Sequence, residues 1–580
     1  MKANRWIALG MCLALCALLM LPLSPRAMAD DVDTSGWCSE KDLDASWDEG
    51  DVIDLSFSGA EMTASGGGAT MADGVATISE KGTYRLTGTL SGRIVVNVDK
   101  KDDVRLLLAG VSIVSAEGPA LYVQQCDKTI LTLVDGTQNS LTDTALLTEE
   151  EDELNAALFA REDITINGGG ALSVSGNVLH GVLTKNDLRI VSGDISVSAL
   201  GDALRGKDSV RILDGSIAIT TQGDGIVSTN TDEADRGWVG IAGGSITVTT
   251  GGGASEVAQN TDEWNRWAGV GPQWSGEDSE STSMKGVKAA QKLLVLGGQL
   301  TIDSADDALH SVAVSVSGGE LALKSGDDGI HADETLAISG GSIAIGQSYE
   351  GLEGTDVLIS GGSISVVASD DGVNAAGGAD GSAMNGGWGG KGDMFAVADA
   401  SIQISGGLLV VNASGDGLDS NGSLTISGGE TYVSGPTISG NGALDYNGTC
   451  TVTGGVLVAA GASGMAQAAG SCENQAGLMV YVGSATTGEI TVTDASGETL
   501  LRYTPEKQYE CVFITAPGLQ TGQSYTIACG GASVFGGSVT ASLCSVYGGT
   551  LTEGVSGGMG GGFGGDGHGG KGGPGGGGRR

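Results

Sequence analysis

Hydrophobic and polar residues alternate along most of this chain in one recurring phrase. The phrase reads apolar-x-apolar-x-Gly-Gly-x-apolar-x-apolar, with small departures, and it occurs at Val210–Ile219, Leu293–Ile302, Val314–Leu323, Leu336–Ile345, Val357–Val366, Ile402–Val411 and Leu424–Val433. Alternation over a few residues is typical of a β-strand with one buried face, and paired glycines are typical of a tight turn. Each copy therefore predicts two short strands joined by a glycine bend.

A second phrase, Asp-Gly-Ile or a close relative, lies between the copies of the first. Its glycine or alanine falls at positions 181, 203, 225, 286, 308, 329, 351, 372, 417 and 443. Successive positions are separated by 22, 22, 61, 22, 21, 22, 21, 45 and 26 residues. The period is therefore 21 to 22 residues, and the two long steps predict insertions at residues 229–284 and 373–400.

A repeat of this length holds three short strands and no helix. It cannot bury an apolar face alone, so its copies must stack on one another. Leucine-rich repeats have a similar length, but the sequence lacks their Asn/Cys ladder and their helix-like stretch. Alternating Val, Ile and Thr with Gly-Gly bends are typical of a parallel β-helix. We therefore predict an all-β solenoid with one coil per repeat.

The N-terminal residues 1–29 predict a secretory signal peptide. Lys2 and Arg5 precede an apolar run, and Ala27-Met28-Ala29 supplies a small-x-small cleavage site before Asp30. The apolar run nearly reaches the length of a membrane span, but the prolines near its end and the cleavage site favour a signal peptide. We expect a secreted chain with no membrane span after cleavage.

The remaining chain divides into four parts by the regularity of its repeats. Residues 149–159 are the one stretch with helical character, and we interpret them as an excursion from a corner. The predicted parts are an N-terminal cap with irregular coils at 30–163, regular coils at 164–470, a small antiparallel β unit at 471–548 and a disordered Gly-rich tail at 549–580.

Acidic residues far outnumber basic ones and give a formal net charge of -41. Residues 1–29 hold Lys2, Arg5 and Arg26 but no acid, so their removal takes the charge to -44. Such a chain repels nucleic acid and anionic membranes unless a cation lies between them. We therefore expect no nucleic-acid partner.

Seven cysteines remain after the predicted cleavage, an odd number that leaves at least one thiol over. Export permits disulfides, and Cys450 with Cys472 or Cys511 with Cys529 are candidate pairs. No cysteine spacing indicates a zinc site.

Residues at the same position in successive coils form columns, because stacked strands lie about 4.8 Å apart. The first column, just before the recurring glycine or alanine, holds Asp202, Asp224, Lys285, Asp307, Asp328, Glu350, Asp371 and Asp416. The second column, two residues after it, holds Arg205, Val227, Lys288, His310, His331, Glu353, Asn374, Asp419 and Asp445.

Like charges at this spacing repel by about 1 kcal/mol in water and about 3.5 kcal/mol at an effective dielectric constant of about 20, so a neutralising cation is expected. Many hard oxygens in a constrained space suit Ca²⁺, which takes roughly 6 to 8 of them. The predicted calcium ligands are Asp306, Asp307, Asp327, Asp328, Glu350, Glu353, Asp370, Asp371, Asn374, Asp416 and Asp419. The alternative is that these acids are turn residues that accept backbone N–H bonds, which suffices for single corners such as Asp224.

Basic and aromatic residues beside the columns are candidates for contact with a ligand. Lys285 and Lys288 either balance charge or meet the carboxylate of an acidic sugar. Tryptophans in the insertions, including Trp238, form either local cores or platforms on which sugar rings stack. The carbohydrate-binding candidates are Trp264, Trp267, Trp274, Trp388, His310 and His331, although a stacked pair in a solvated groove also explains the two histidines.

Five phrases in order carry a resemblance to a known family. They are Ser304–His310, Ser325–Asp333, Ser348–Glu353, Ser369–Asn374 and Gly415–Gly422. They resemble the secreted bacterial carbohydrate-binding domain-containing proteins, whose prototype is a clostridial cell-surface protein that binds cellulose and pectin. The resemblance covers roughly residues 75–470. It implies a right-handed parallel β-helix related to pectate lyases, bound calcium ions, and binding of pectin-like and cellulosic polysaccharides rather than their turnover.

Three functions follow from these patterns. The leading hypothesis is a secreted, extracellular or cell-surface protein that binds polysaccharide through calcium, which would bridge protein and uronate carboxylates. The first alternative is a calcium-dependent polysaccharide lyase, in which Lys285, Lys288 or Arg205 would remove the C5 proton of a uronate. The second alternative is a purely structural cell-surface β-helix.

Overall fold

The computed structural model describes residues 33–144, 154–255, 283–376 and 397–555. Within these ranges the chain is all-β with almost no helix: α1 covers Glu40–Leu43, and 3-10 turns cover Thr34–Gly36 and Glu49–Asp51. None of the described helices has the length and apolar character needed to cross a membrane. The predicted signal peptide at residues 1–29 lies outside the described residues.

The N-terminal strands precede the first insertion. They are β1 Val52–Gly59, β2 Glu61–Ala64, β3 Ala69–Ala72, β4 Val75–Ile78, β5 Gly82–Ser91, β6 Arg93–Asn97, β7 Val104–Ser115, β8 Leu121–Gln125, β9 Lys128–Leu133, β10 Gln138–Asp143, β11 Ala156–Ala160, β12 Asp163–Gly168, β13 Ala171–Gly176, β14 His180–Thr184, β15 Asp187–Ile190, β16 Asp194–Ala199, β17 Leu204–Gly206, β18 Ser209–Ile212, β19 Ser216–Thr221, β20 Ile226–Ser228, β21 Trp238–Ile241 and β22 Ser245–Thr250.

The strands of the second half continue the same order. They are β23 Val287–Val295, β24 Gln299–Ser304, β25 Leu309–Val316, β26 Glu320–Ser325, β27 Ile330–Ile338, β28 Ser342–Gln347, β29 Leu352–Ile359, β30 Ser363–Ala368, β31 Val373–Ala375, β32 Ser401–Ile404, β33 Leu408–Ala413, β34 Leu418–Ser420, β35 Ser423–Ile426, β36 Glu430–Ser434, β37 Leu444–Tyr446, β38 Cys450–Val452, β39 Val456–Gly461, β40 Ser471–Cys472, β41 Gly477–Thr486, β42 Ile490–Asp494, β43 Thr499–Tyr503, β44 Tyr509–Thr515, β45 Ser524–Cys529, β46 Ala532–Ser538, β47 Leu543–Tyr547 and β48 Thr550–Glu553.

The central strands form three parallel stacks, because a strand pairs with its equivalent in the next coil. In the first, here called the site stack, β14 pairs with β17, β17 with β20 and β20 with β23. The second contains β15, β18 and β21, and the third contains β16, β19 and β22. Strands β23, β25, β27 and β29 each bend through a register shift, so that one strand serves both the site stack and the second stack. All three stacks belong to one large, mostly parallel sheet.

Alternation along each strand decides which side chains enter the core. In β26 the burial pattern alternates strictly, with Leu321 and Leu323 inward and charged neighbours outward. The Gly-Gly bends turn the chain between the second and third stacks. Their second glycine is left-handed, with φ of +88° at both Gly341 and Gly362, a conformation that an L side chain adopts only with strain.

A small C-terminal unit follows the last coil. Strand β44 pairs antiparallel with β39 and with β41, so the parallel stacking ends there. Strands β43, β42, β45 and β46 form a separate four-stranded sheet in that order, with antiparallel pairs throughout. This four-stranded sheet lies within the antiparallel unit expected at 471–548, but β41 in the same range belongs to the large sheet and pairs parallel with β47.

Several local predictions differ from the structure. The helix-like interpretation of residues 149–159 is wrong for its second half, since Ala156–Ala160 is β11, a strand buried along its whole length. A run that is apolar on both faces does not reveal whether it is strand or helix. The insertion predicted at 229–284 is too wide because β21 and β22 are regular coil strands. The disordered tail predicted at 549–580 is wrong for its first residues, because Thr550–Glu553 pairs as β48, and residues 556–580 lie outside the described residues.

The seven described cysteines are all free and buried. Neither candidate pair, Cys450 with Cys472 or Cys511 with Cys529, forms a disulfide in this structure.

Substitution of a bend glycine should destabilise the coils more than the same change in an open turn. Gly362 and Gly497 have nearly equal φ, +88° and +89°, but a Cβ at Gly362 would lie 3.0 Å from the carbonyl oxygen of Gly340 in the preceding coil, while Gly497 has open space. We expect G362A to cost about 2–3 kcal/mol and G497A about 1 kcal/mol. Urea unfolding midpoints check this, and equal shifts for both variants would contradict tight stacking of the bends.

Candidate functional site

Strand pairing in the site stack confirms the register of the second column. Arg205 lies opposite Val227, Lys288 opposite His310, and His310 opposite His331. The same pairing continues from His331 through Glu353, Asn374 and Asp419 to Asp445. These side chains therefore lie directly above one another along the stack.

The first column stacks by a different hydrogen-bond pattern. The recurring glycine or alanine donates its N–H to the carbonyl of the first-column residue in the next coil, as Gly329 does to Glu350 at 3.0 Å. In addition, Oδ1 of Asp307 and of Asp328 each accepts the N–H of the next first-column residue at 3.1 Å. One oxygen of each carboxylate thus accepts a backbone N–H, as expected for an acid in a turn. The second oxygen faces the site.

Side-chain cations neutralise the columns in the coils before His331. Arg205 Nη1 lies 2.7 Å from Asp202 Oδ2, and Lys288 Nζ lies 3.9 Å from Asp224 Oδ2. Lys285 is buried and bonds to Asp306 Oδ1 at 2.9 Å and to Asp307 Oδ2. The three residues considered as a lyase base are therefore all engaged with carboxylates.

Lys285 is held in its protonated form. Burial opposes the charge, but the carboxylates of Asp307 and Asp306 outweigh it and hold the pKa of Lys285 above its usual value. An ammonium in that state does not accept a proton at neutral pH. The charge-balancing role foreseen for Lys285 is the one that this geometry supports.

His310 and His331 stack in neighbouring coils with ring centroids 4.7 Å apart. His310 Nδ1 lies 2.8 Å from Asp307 Oδ2, while His331 Nδ1 lies 3.0 Å from Glu353 Oε2 and 3.2 Å from Asp328 Oδ2. Burial disfavours the imidazolium of His331, but its hydrogen bond with Asp328 and the charge of Glu353 raise the pKa of His331 to about 10. His331 is only 3% exposed, so it presents no face to a sugar in this arrangement.

Beyond Glu353 the columns contain acids without basic partners. In the part of the chain that the structure describes, no Lys, Arg or His forms an ion pair with Asp371, Asp416 or Asp419. Burial and the charge of Asp416 raise the pKa of Asp371 well above its ordinary value. Burial, followed by neighbouring carboxylates, raises the pKa of Asp416 to about 8 and that of Asp419 to about 7.

These acids converge on one point. Oxygen atoms of Asp371, Asp416 and Asp419 all lie within 4.8 Å of one another. Beside them, Asn374 donates from Nδ2 to Glu350 Oε2 at 2.8 Å, and its Oδ1 is buried without a hydrogen-bond partner. A donor set of oxygens alone fits a hard divalent cation such as Ca²⁺. We call Glu350, Asp371, Asn374, Asp416 and Asp419 the oxygen cluster.

Asp370 lies beside Asp371, whose pKa its charge helps to raise, and the other predicted calcium ligands lie beside basic residues. Asp306, Asp307 and Asp327 form a second group of close carboxylates, which Lys285 contacts. Burial and the charge of Asp328 raise the pKa of Asp327 to about 8. Calcium binding by this group stays a prediction, but a protein cation already offsets part of its charge.

Four of the predicted carbohydrate-binding residues, Trp264, Trp267, Trp274 and Trp388, lie outside the described residues. Trp238, in β21, packs in a local cluster instead of forming a platform: its ring lies 5.4 Å from that of Trp37, and the guanidinium of Arg211 lies 4.9 Å from its centroid.

One residue near the site was missed. Asp333, two positions after His331, lies 3.7 Å from Nε2 of both histidines. The alternation of β27 could have flagged it, since residues two apart face the same side of a strand.

Comparison with known proteins identifies a family that this sequence matches. Residues 72–329 and 312–390 match the model of a family described as carbohydrate-binding domain-containing protein. A protein of Acetivibrio thermocellus with the same description is 39% identical over 175 residues, which are 30% of this chain and 61% of the relative. This chain therefore matches less than two thirds of the relative's length.

A solved structure, of the polysaccharide lyase-like protein from C. thermocellum in a gadolinium derivative, is 27% identical and covers 43% of this chain and 90% of its own. Its TM-score of 0.37 is too low to establish a common fold. The family model, in contrast, spans more than half of the sequence, from the N-terminal coils to the second insertion. The chain belongs to the family of carbohydrate-binding domain-containing proteins.

Proposed function

We propose that this protein is a secreted, calcium-dependent polysaccharide-binding protein without catalytic activity. The observation that carries the proposal is the oxygen cluster, in which three partly buried carboxylates lie within 4.8 Å of one another and no described basic residue pairs with them. Such a group is costly at neutral pH unless protons or a cation neutralise it. Calcium is the cation whose ligand preference this set of oxygens meets.

An acidic polysaccharide such as polygalacturonate is the ligand class that we favour. A chain of net charge -41 repels an anionic polymer in the absence of a bridging cation. Calcium held by the oxygen cluster would retain positive charge and open coordination positions for uronate carboxylates. A cellulose-like glycan is the second ligand class, which the resemblance to the family suggests.

Binding is favoured over lyase chemistry by the state of the candidate bases. Lys285 is buried between two carboxylates, Arg205 is paired with Asp202 of its own coil, and Lys288 lies 3.9 Å from Asp224 of the preceding coil. A lyase needs an unprotonated base within reach of the uronate C5 proton. None of these three residues therefore acts as the general base of a lyase in the function that we propose.

We also infer the winding of the coils and the location of the protein. The three parallel stacks are joined by crossover connections, which are right-handed in about 98% of known cases, so a right-handed parallel β-helix is the expected arrangement. The signal-peptide pattern of residues 1–29 supports export, with a function outside the cell or at its surface.

The glycan test uses the full mature chain on immobilised polygalacturonate and on cellulose, with calcium or with a chelator. We expect retention in calcium, loss in chelator, and at least a tenfold weaker affinity for the double variant D416N/D419N, because it removes two of the anionic ligands. The matched control is D202N, which changes the same column in a coil that Arg205 neutralises. Retention unaffected by chelator, or a rise in the ultraviolet absorbance of unsaturated uronates, would contradict the proposal.

The pH dependence of stability provides a second test. The folded-state pKa values of Asp416, about 8, and Asp419, about 7, exceed the unfolded values near 4, so the folded state holds extra protons between about pH 4 and 8. Without calcium, stability should therefore fall as pH rises through this window, by up to about 1.4 kcal/mol per pH unit for each extra proton. Calcium should flatten this slope because it replaces the protons.

Thermal unfolding from pH 5 to 8, with chelator and with calcium, measures this slope. In D416N/D419N we expect a weaker dependence on both pH and calcium, since two of the titrating groups are gone. A chelated wild-type protein whose melting temperature does not change over this range would argue against a buried, uncompensated cluster.

A further inference from the structure

The two stacked histidines have an arrangement that the oxygen cluster does not explain. Nε2 of His310 and Nε2 of His331 each lie 3.7 Å from the same atom, Oδ1 of Asp333. Each of the two ring nitrogens is thus close to the same carboxylate oxygen at the edge of the site stack. None of these separations is a hydrogen bond.

Each imidazole is oriented by a carboxylate on its opposite nitrogen. His310 Nδ1 lies 2.8 Å from Asp307 Oδ2, and His331 Nδ1 lies 3.0 Å from Glu353 Oε2. A histidine that ligates a metal usually has its second ring nitrogen bonded to a carboxylate, which fixes the ring and directs the free lone pair at the ion. Both histidines show this arrangement, and an ion bound at His331 Nε2 would replace the proton that Asp328 and Glu353 favour on that ring.

An orphaned nitrogen points to a missing ligand. His331 is 3% exposed, and its Nε2 is fully buried without a hydrogen-bond partner. A buried polar atom without a partner costs about 1–3 kcal/mol of stability, so such atoms are rare unless something else satisfies them. The polar atom that it faces is Asp333 Oδ1, the same oxygen that His310 faces.

A bulge brings Asp333 to this position. Between Ala332 and Thr335, β27 has one residue more than the paired segments Ser311–Ala313 of β25 and Gly354–Asp356 of β29. Bulges redirect side chains and are common beside functional sites. The segment Ala289–Lys292 of β23 has the same extra residue opposite β25, so the bulge recurs along the stack.

The distances suit a transition-metal ion. Bonds of about 2.0–2.2 Å to zinc place two ligand atoms of a tetrahedral site roughly 3.4 Å apart, slightly less than the 3.7 Å between each Nε2 and Asp333 Oδ1. Imidazole nitrogens are ligands for zinc, copper, iron or nickel and are poor ligands for calcium. The nitrogen donors distinguish this group from the oxygen cluster.

We propose that His310 Nε2, His331 Nε2 and Asp333 Oδ1 bind a divalent transition-metal ion of the zinc class, with Asp307 and Glu353 as positioning residues for the two rings. The site takes one ion and leaves at least one coordination position for water or for an oxygen of a ligand. It does not rest on the calcium proposal, because the two sites share no ligand.

The test uses the full mature chain without a histidine tag, stripped by a chelator. Zn²⁺ is titrated in competition with a chromophoric chelator, and Co²⁺ is added as a spectroscopic probe of nitrogen and oxygen coordination. We expect one Zn²⁺ per chain, with affinity at least tenfold weaker in H310Q and in D333N. Asp333 has a side chain 34% exposed, so D333N tests the site even if changes at buried His331 impair folding.

Controls come from the remaining histidines and from the other cluster. Of the four histidines, His180 and His568 lie at other positions in the sequence, so H180Q and H568Q should leave zinc affinity unchanged. D416N/D419N should lose its calcium response but keep the zinc site, which separates failure of one proposal from failure of the other. Zinc affinity that is equal in wild type, H310Q and D333N, or a Co²⁺ spectrum with no imidazole coordination, would overturn the inference.

Discussion

Parallel stacking at a single strand spacing places each side chain of the site stack directly over its equivalent in the next coil. The constraint is useful for apolar residues, which pack into one continuous core along the stacks. For charged residues it creates a problem, because a column of acids accumulates repulsion with each coil. The ion pairs, the raised carboxyl pKa values and the proposed cation binding at the site all reduce that repulsion.

Relief takes a different form in successive coils. Arg205, Lys288 and Lys285 pair with acids in the earlier coils, and His331 contacts Asp328 and Glu353, while burial still raises the pKa of Glu353 to about 9. From Asp371 to Asp419 the described residues provide no counterion, and burial shifts the carboxyl pKa values upward instead. Near Asp202 the columns are therefore neutralised by basic side chains of the protein. Near Asp419 they require protons or an external cation.

The backbone and the site share the same carboxylates. One oxygen of Asp307 and of Asp328 accepts an N–H from the next coil, and the other oxygen meets a cation or a histidine. The turn interpretation and the metal interpretation of these acids are thus compatible. Since the hydrogen-bonded oxygen is fixed by coil stacking, the free oxygen is positioned with little additional loss of conformational entropy. A metal bound there would be coupled directly to the stability of the stack.

The sequence alone determined the strands, the coil period, both columns and their register, and the resemblance to the family to which the chain belongs, because a repeat of fixed length leaves one way to superpose successive coils. It could not determine which acids are compensated, since the reach of Lys285 to Asp306 and Asp307 depends on side-chain conformations across coils. Nor could it give the burial of His331, the 3.7 Å distances from Asp333 to both histidines, or the strand at Ala156–Ala160. Those features arise from contacts between chain segments that the local pattern of residues does not encode, and only the packed coils decide them.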